Sequence, residues 1–237
     1  MSQFDYKPSY RRNLPHLQPP GAALFLTFRL AGSLPRSVLE QWKNEQKWLR
    51  HLEETNPTYF ARAKLDFERT WFAKFESVLD GASHGPLWLK DERIANLVAD
   101  SFHYRDGKVF RLDAFSIMPN HAHVVFKPLL LHAGGETNAS YPSLASIMQS
   151  LKGFTARECN RLLGRQGEFW AHESFDHYIR DHEEWMRIVA YVLNNPVKAG
   201  YVSHWQEWRW NYRRPAVETK SQTDSLRYAA HRKLAAS

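Results

Sequence analysis

An α+β fold is what this sequence predicts, and three observations predict it. Short runs with apolar residues at every second position are interleaved with stretches where they recur every three or four. Two of the short runs stand back to back around Pro119-Asn120, as the strands of a hairpin would. The 237 residues are 43 % hydrophobic, with nine Trp and fourteen Phe, which is ample for the packed core of one domain.

In chain order, residues 1–20 carry Pro8, Pro15, Pro19 and Pro20 among basic residues and read as an extended arm. Ala22 to Leu30 reads as a buried strand. A long helical stretch from about Ser37 to Leu79 follows, broken by Asn56-Pro57, because proline cannot continue a helix through its own nitrogen. Asp91 caps a helix over Glu92–Tyr104 whose Ile94, Leu97, Val98 and Phe102 share a face. Asp106-Gly107 is a turn; Lys108–Met118 and Asn120–Lys127 are the paired strands, and Leu130–Ser140 a polar loop. Leu144–Leu163 is helical, Glu173–Arg180 a strand, and Asp181 caps a helix reaching about Asn195.

The order β, enlarged α, β, β, α, β, α is that of a ferredoxin-like split βαβ sandwich, an antiparallel sheet with helices on one face and one extra C-terminal helix. The expected organisation is an arm over 1–20, a single domain over 21–212 with a helical insertion at about 36–80, and a polar, basic tail over 213–237.

Net charge is +7, which favours an anionic partner, and nucleic acid is the commonest soluble one. The single cysteine, Cys159, excludes an internal disulfide and a cysteine-rich zinc site, and its helical setting suggests a buried thiol. With no apolar leader and no apolar run near the ~20 residues that span a bilayer, the expectation is a cytoplasmic protein without a membrane partner.

Two segments about 70 residues apart carry the chemistry. In Met118-Pro119-Asn120-His121-Ala122-His123, side chains alternate across a strand, so His121 and His123 project together, and paired neutral imidazoles suit a divalent metal. The alternative is two ordinary histidines on a polar face. A nucleotide hydrolase with three alternating histidines is disfavoured, because the third place is Val125. In Tyr191-Val-Leu-Asn-Asn195-Pro196, helical spacing brings the Tyr191 hydroxyl and the Asn195 amide onto one flank of an apolar stripe. A packing tyrosine and a helix-ending Asn-Pro explain the same residues more simply. Taken together, the two segments can make a metal-assisted tyrosine nucleophile.

The combination resembles the HUH-type single-tyrosine transposases, and within them the REP-associated tyrosine transposases. Met-Pro-Asn-His-Ala-His at 118–123 is similar to that family's two-histidine motif, and Tyr191-Val-Leu-Asn-Asn-Pro-Val-Lys-Ala-Gly200 to its tyrosine helix. Arg12-Asn-Leu-Pro-His, Thr27-Phe-Arg-Leu, Phe154-Thr-Ala-Arg and the stretch from Phe169-Trp170 to Arg180 extend the likeness over roughly 10–210, in the family's order. The resemblance implies that His121, His123 and Asn195 hold Mg²⁺ or Mn²⁺ and that Tyr191 attacks a DNA phosphodiester. A 5′-phosphotyrosine and a free 3′-hydroxyl would result, and single-stranded or hairpin DNA would be the substrate. Monomer and homodimer are both open, since related enzymes swap the tyrosine helix between subunits.

Arg11 and Arg12 in the arm, and Lys152, Arg157 and Arg161 on the penultimate helix, are candidate phosphate contacts, with a solvated basic face as the plain alternative. The aromatic segment from Trp205 to Tyr212 fits packing better than base stacking. His172 and His177 flank the fourth strand and are assigned no metal. A catalytically silent, hairpin-binding regulator of the same fold is the competing function.

Overall fold

A computed structural model of the chain describes residues 9–11, 15–17, 19–132 and 139–215. The elements in order are β1 (Ser9–Arg11), β2 (Pro15–Leu17), β3 (Ala23–Leu30), α1 (Arg36–Thr55), α2 (Pro57–Asp80), α3 (Glu92–Arg105), β4 (Phe110–Ile117) and β5 (His121–Pro128). After these come β6 (Leu131–His132), β7 (Ala139–Ser140), α4 (Leu144–Leu162), β8 (Trp170–Ile179), α5 (His182–Lys198) and β9 (Asn211–Arg213).

The main sheet has five strands in the order β8-β3-β5-β4-β9, with every pair antiparallel. Its four core strands, β3, β4, β5 and β8, reproduce the predicted ferredoxin-like sandwich. On one face Leu24, Leu26, Phe28 and Leu30 of β3 and Ala122, Val124 and Phe126 of β5 pack against Ile94, Val98 and Phe102 of α3 and Ile147 and Leu151 of α4. Cys159 lies in this core, and burial pushes its thiol up to about 12, as suits an inert packing residue. The other face carries Phe25, Ala114 and Val125 under Val189, Val192 and Leu193 of α5.

A register shift between Leu112 and Ala114 explains how Phe110 and Leu112 share a face with Phe115 and Ile117 despite their parity. The extra residue of the bulge is the buried Asp113, which accepts from Arg111 Nε at 2.9 Å and Trp185 Nε1 at 2.9 Å.

The insertion is a helical hairpin. Asn56 caps α2 by accepting from the Tyr59 amide at 3.2 Å, and Pro57 sits at the first helical position, where its missing N–H costs nothing. Trp42, Leu49, Ala63, Phe67 and Trp71 make a small core between α1 and α2, and Trp71 Nε1 donates to Glu45 Oε2 at 2.7 Å.

Three boundaries differ from the sequence reading. The arm pairs with itself as β1–β2 rather than running singly extended. The last helix passes through Pro196 to Lys198, so Asn195 lies inside α5 and does not end it. The segment from Trp205 to Tyr212 packs, as the sequence favoured: Trp208 Nε1 donates to Ile117 O at 3.0 Å, Trp210 Nε1 to Asn96 Oδ1 at 3.0 Å, and Tyr212 stacks on Phe115. The third difference is β9, a fifth strand at the end of the expected domain where no strand was foreseen; residues 216–237 of the expected tail lie outside the described residues.

Candidate metal centre and tyrosine site

Antiparallel register sets the floor of the site. Thr27 stands opposite His123 and Arg29 opposite His121 on β3 and β5, and Ser116 flanks His123 from β4. Both histidines are fully buried on the α5 face of the sheet. Each is oriented through its Nδ1: His121 by Asn120 Oδ1 at 2.7 Å, His123 by Thr27 Oγ1 at 2.8 Å. The Asn120 amide nitrogen is committed to Leu79 O at 3.0 Å, so its oxygen accepts from Nδ1–H of His121 and leaves a lone pair on Nε2. The two Nε2 atoms lie 3.0 Å apart, aimed at one another.

The third member of the group is Glu76, near the C-terminal end of α2. Its Oε2 lies 3.3 Å from His123 Nε2, and one donor atom from each of Glu76, His121 and His123 falls within 4.8 Å of the others. This buried group could hold a metal ion. A carboxylate and two neutral imidazoles are a donor set that divalent cations accept readily.

The sequence reading missed Glu76 because it lies in the insertion, where no motif marked it. Its signal was an acidic residue on the apolar side of a helix, among Phe72, Phe75 and Leu79.

Tyr191 completes the arrangement. Its ring meets His123, Phe25 and Phe72 at centroid distances of 5.7, 6.1 and 5.9 Å, and its hydroxyl donates to Glu76 Oε2, the oxygen that also faces His123. One turn on, Asn195 is 1 % exposed, and neither its amide oxygen nor its nitrogen makes a well-formed hydrogen bond among the described residues, although the amide lies close enough to the Tyr191 hydroxyl to favour its ionised form slightly. An orphaned amide costs on the order of 1–3 kcal/mol, so a polar group held open here fits a ligand role.

The electrostatics follow from burial. Burial pushes the Tyr191 phenol up, and the neighbouring Glu76 charge pushes it further. Burial lowers His121 to about 3, with His123 adding to the effect. Burial alone would raise Glu76, but His123 and His121 outweigh it and hold the carboxyl near about 2. The site therefore brings together a charged carboxylate, the neutral imidazole of His121 and a protonated phenol.

The other predicted residues lie elsewhere. Lys152 sits on α4, across the sheet from the tyrosine, and its ammonium donates to Ala171 O at 2.8 Å, His172 O at 3.1 Å and Ser174 Oγ at 2.8 Å. Arg157 and Arg161 flank Glu158 on the same helix at 3.1 and 3.0 Å. Arg11 is in β1, and Arg12 lies outside the described residues. His172 is exposed, whereas His177 pairs with Glu184 at 3.0 Å.

The fold and site together define a carboxylate–two-histidine group beneath a half-buried tyrosine on a ferredoxin-like sheet. No family model matches the chain. An uncharacterized protein of Haemophilus influenzae is 29 % identical across 37 % of this chain, which spans about half (54 %) of that relative's length. Among solved structures, a REP-associated tyrosine transposase bound to a REP hairpin aligns over 85 % of this chain and 80 % of its own, at 18 % identity and a TM-score of 0.42.

Proposed function

We propose that this protein is a metal-dependent transposase that cuts and rejoins single-stranded or hairpin DNA through Tyr191. The observation that carries the reading is the meeting of Tyr191, from α5, with the Glu76–His121–His123 group, from α2 and β5, through a shared carboxylate oxygen. Histidines and tyrosine were predicted from separate segments, and packing alone requires no such convergence.

His121, His123 and Glu76 would hold the ion, with Asn195 as a further ligand; Mg²⁺ or Mn²⁺ is the expected identity. A bound divalent ion would polarise a non-bridging phosphate oxygen and neutralise charge developing at phosphorus. The chain's own residues do the rest. The aromatic walls, Phe25 and Phe72, hold the phenol in place and exclude water. The phenol would give up its proton, for which Glu76 Oε2 is the neighbouring acceptor, and its oxygen would bond to phosphorus as the bond to the 3′-oxygen breaks, leaving a 5′-phosphotyrosine and a 3′-oxyanion that takes up a proton to become the 3′-hydroxyl. Because that bond keeps the phosphodiester's energy, a second 3′-hydroxyl reverses the step without ATP. No helix among the described residues is long and apolar enough to cross a membrane, and a cytoplasmic setting is part of the same proposal.

The test incubates hairpin oligonucleotides from the DNA flanking the gene with Mg²⁺ or Mn²⁺ and resolves them on a denaturing gel. A metal-dependent protein–DNA adduct, absent in Tyr191→Phe and His121→Ala, is expected. Tight hairpin binding without an adduct under any condition would replace the enzyme with a DNA-binding regulator. Turnover of free nucleotides without an adduct would make it a hydrolase.

A further inference from the structure

Cleavage through Tyr191 needs a proton acceptor and a proton donor, and the metal group supplies only the acceptor. Glu76 stands by the phenol, but the 3′-oxygen must gain a proton as it leaves, because an alkoxide is a poor leaving group. One turn further along the same two helices, α2 and α5 meet a second time.

Glu76 and Asp80 are four apart on α2, and Tyr191, Asn195 and Lys198 stand on successive turns of α5, so each set shares a face. The faces join in two rungs. In the first the Tyr191 hydroxyl donates to Glu76 Oε2; in the second Lys198 Nζ donates to Asp80 Oδ2 at 2.6 Å. Polar atoms are left over along this seam. Asp80 Oδ1 is buried with no hydrogen-bond partner among the described residues, and neither amide atom of Asn195 makes a well-formed hydrogen bond there. Buried polar groups are normally satisfied, so the seam is suited to receiving a polar group of a ligand.

The second rung borders the reaction site. After burial, the largest cause in each case, the Lys198 charge helps keep His121 neutral and the Asp80 charge helps keep Tyr191 protonated. The Asp80 side chain is 10 % exposed and that of Lys198 57 %, so the pair leads from the buried group out to water. Seven residues set the Cα atoms of Tyr191 and Lys198 about 10 Å apart along the helix, a gap that a phenol and a lysine stem can close around a phosphodiester.

We propose that Lys198 is the acid of the cleavage step, its ammonium, held by Asp80, giving a proton to the 3′-oxygen as that oxygen leaves phosphorus. The inference rests on the DNA-cleaving reading above. The phenol's proton goes to Glu76, the phenol oxygen bonds to phosphorus, the bond from phosphorus to the 3′-oxygen breaks, and the ammonium's proton ends on the 3′-hydroxyl. A neutral amine is left beside Asp80. In rejoining, that amine takes the proton from the attacking 3′-hydroxyl, and Glu76 returns its proton to the phenol.

The test compares a cleaved hairpin with the same hairpin carrying sulfur in place of the scissile 3′-oxygen, in Mn²⁺, by following adduct formation in a single turnover. A thiol ionises near about 8.5, so a 3′-thiolate leaves without help from an acid. On the oxygen substrate Lys198→Met should form adduct roughly 100- to 10,000-fold more slowly than wild type, the usual weight of a positioned acid. On the sulfur substrate it should run at nearly the wild-type rate. Lys198→Arg keeps a cation for Asp80 but holds its proton above about pH 12, so it should be slow on oxygen and recover on sulfur in the same way. Because it retains the pair, it carries the test even where Lys198→Met fails to fold. A lysine that merely ties α5 to α2 gives the opposite pattern, in which arginine restores the rate and sulfur rescues nothing. That pattern, or undiminished cleavage of the oxygen substrate by Lys198→Met, overturns the acid while leaving cleavage through Tyr191 intact. No adduct from the wild type on either substrate overturns both.

Discussion

Replacing Glu76 with Gln tests the metal centre at the member that sequence motifs did not reveal. The substitution keeps the shape and an oxygen that can accept from Tyr191, but removes the charge facing His123. Loss of an outer partner of a metal ligand typically lowers affinity 10- to 100-fold, so loss of a charged ligand should cost at least about 100-fold. The consequence can be read without activity. At a Mn²⁺ concentration 100 times the wild-type dissociation constant, binding stabilises the fold by about 2.7 kcal/mol; a 100-fold weaker site leaves about 0.4 kcal/mol. For a chain of this size each kcal/mol moves the midpoint by roughly 2–4 °C, so a metal-induced shift of about 5–11 °C should shrink to about 1–2 °C. Calorimetric titration of Mn²⁺ into both proteins gives the affinities directly. Equal affinity and equal thermal shift in Glu76→Gln would remove the carboxylate from the centre and return the ligand set to the two histidines and Asn195.

Asn120→Ala removes the oxygen at 2.7 Å from His121 Nδ1 and the donor to Leu79 O, so Mn²⁺ titration should show a roughly 10- to 100-fold weaker site, and denaturant melts a loss of about 1–3 kcal/mol. Glu184, hydrogen-bonded by Arg180 and His177, is held near about 2, below its ordinary range. It therefore contributes stability that is full above about pH 4.5 and is lost as pH falls towards 2. With Arg180 largely exposed the effect is on the order of 1 kcal/mol, and acid melts of Glu184→Gln should lack that part of the slope. Lys152→Ala strands acceptors on β8 and should cost about 1–3 kcal/mol in urea unfolding, with hairpin affinity measured alongside to separate a structural lysine from a phosphate contact. Phe28→Ala, at the centre of the α3–α4 core, should destabilise by about 3–5 kcal/mol, read from the same melts.

Local patterns carried much of the fold. Alternation in Ala23–Leu30 and His121–Pro128, the Asn56-Pro57 break and the Asp91 and Asp181 caps each depend on residues close in sequence, and the elements lie within a few residues of their expected bounds. β9 was not legible, because Asn211–Arg213 is a strand only by pairing with Ala114–Ser116, far away in the chain. Pro196 misled for a related reason: proline signals a break locally, yet α5 is held by packing on Phe25 and Val125 and by Asn211 Nδ2, which donates to Leu193 O at 2.8 Å. At the site, the His-x-His parity and the Tyr-x-x-x-Asn spacing placed His121, His123, Tyr191 and Asn195 on faces but could not bring the faces together. Glu76 needed the tertiary structure, since nothing within α2 says that its C-terminal turn lands over β5.

That landing has a cost which locates the site's weakest point. The α1–α2 hairpin has a core of its own, and α2 reaches the sheet side through few groups: Phe72 against Phe175 at 4.4 Å, Leu79 O accepting from Asn120, and Asp80 paired with Lys198 at 2.6 Å. Glu76 lies between these anchors. The Lys198 pair is half exposed and worth little alone, and burial raises Asp80 despite its partner. The packing of Phe72 and the Asn120 bond therefore hold the carboxylate over His123. The residue that orients His121 thus also fixes the helix that supplies Glu76, through the two ends of one amide. Loosening α2 should consequently weaken metal binding and expose Tyr191 together. In Asn120→Ala, hydrogen exchange should rise over residues 72–80 as Mn²⁺ affinity falls; weaker affinity with unchanged exchange would mean that the helix is held without the amide and that Asn120 acts on His121 alone.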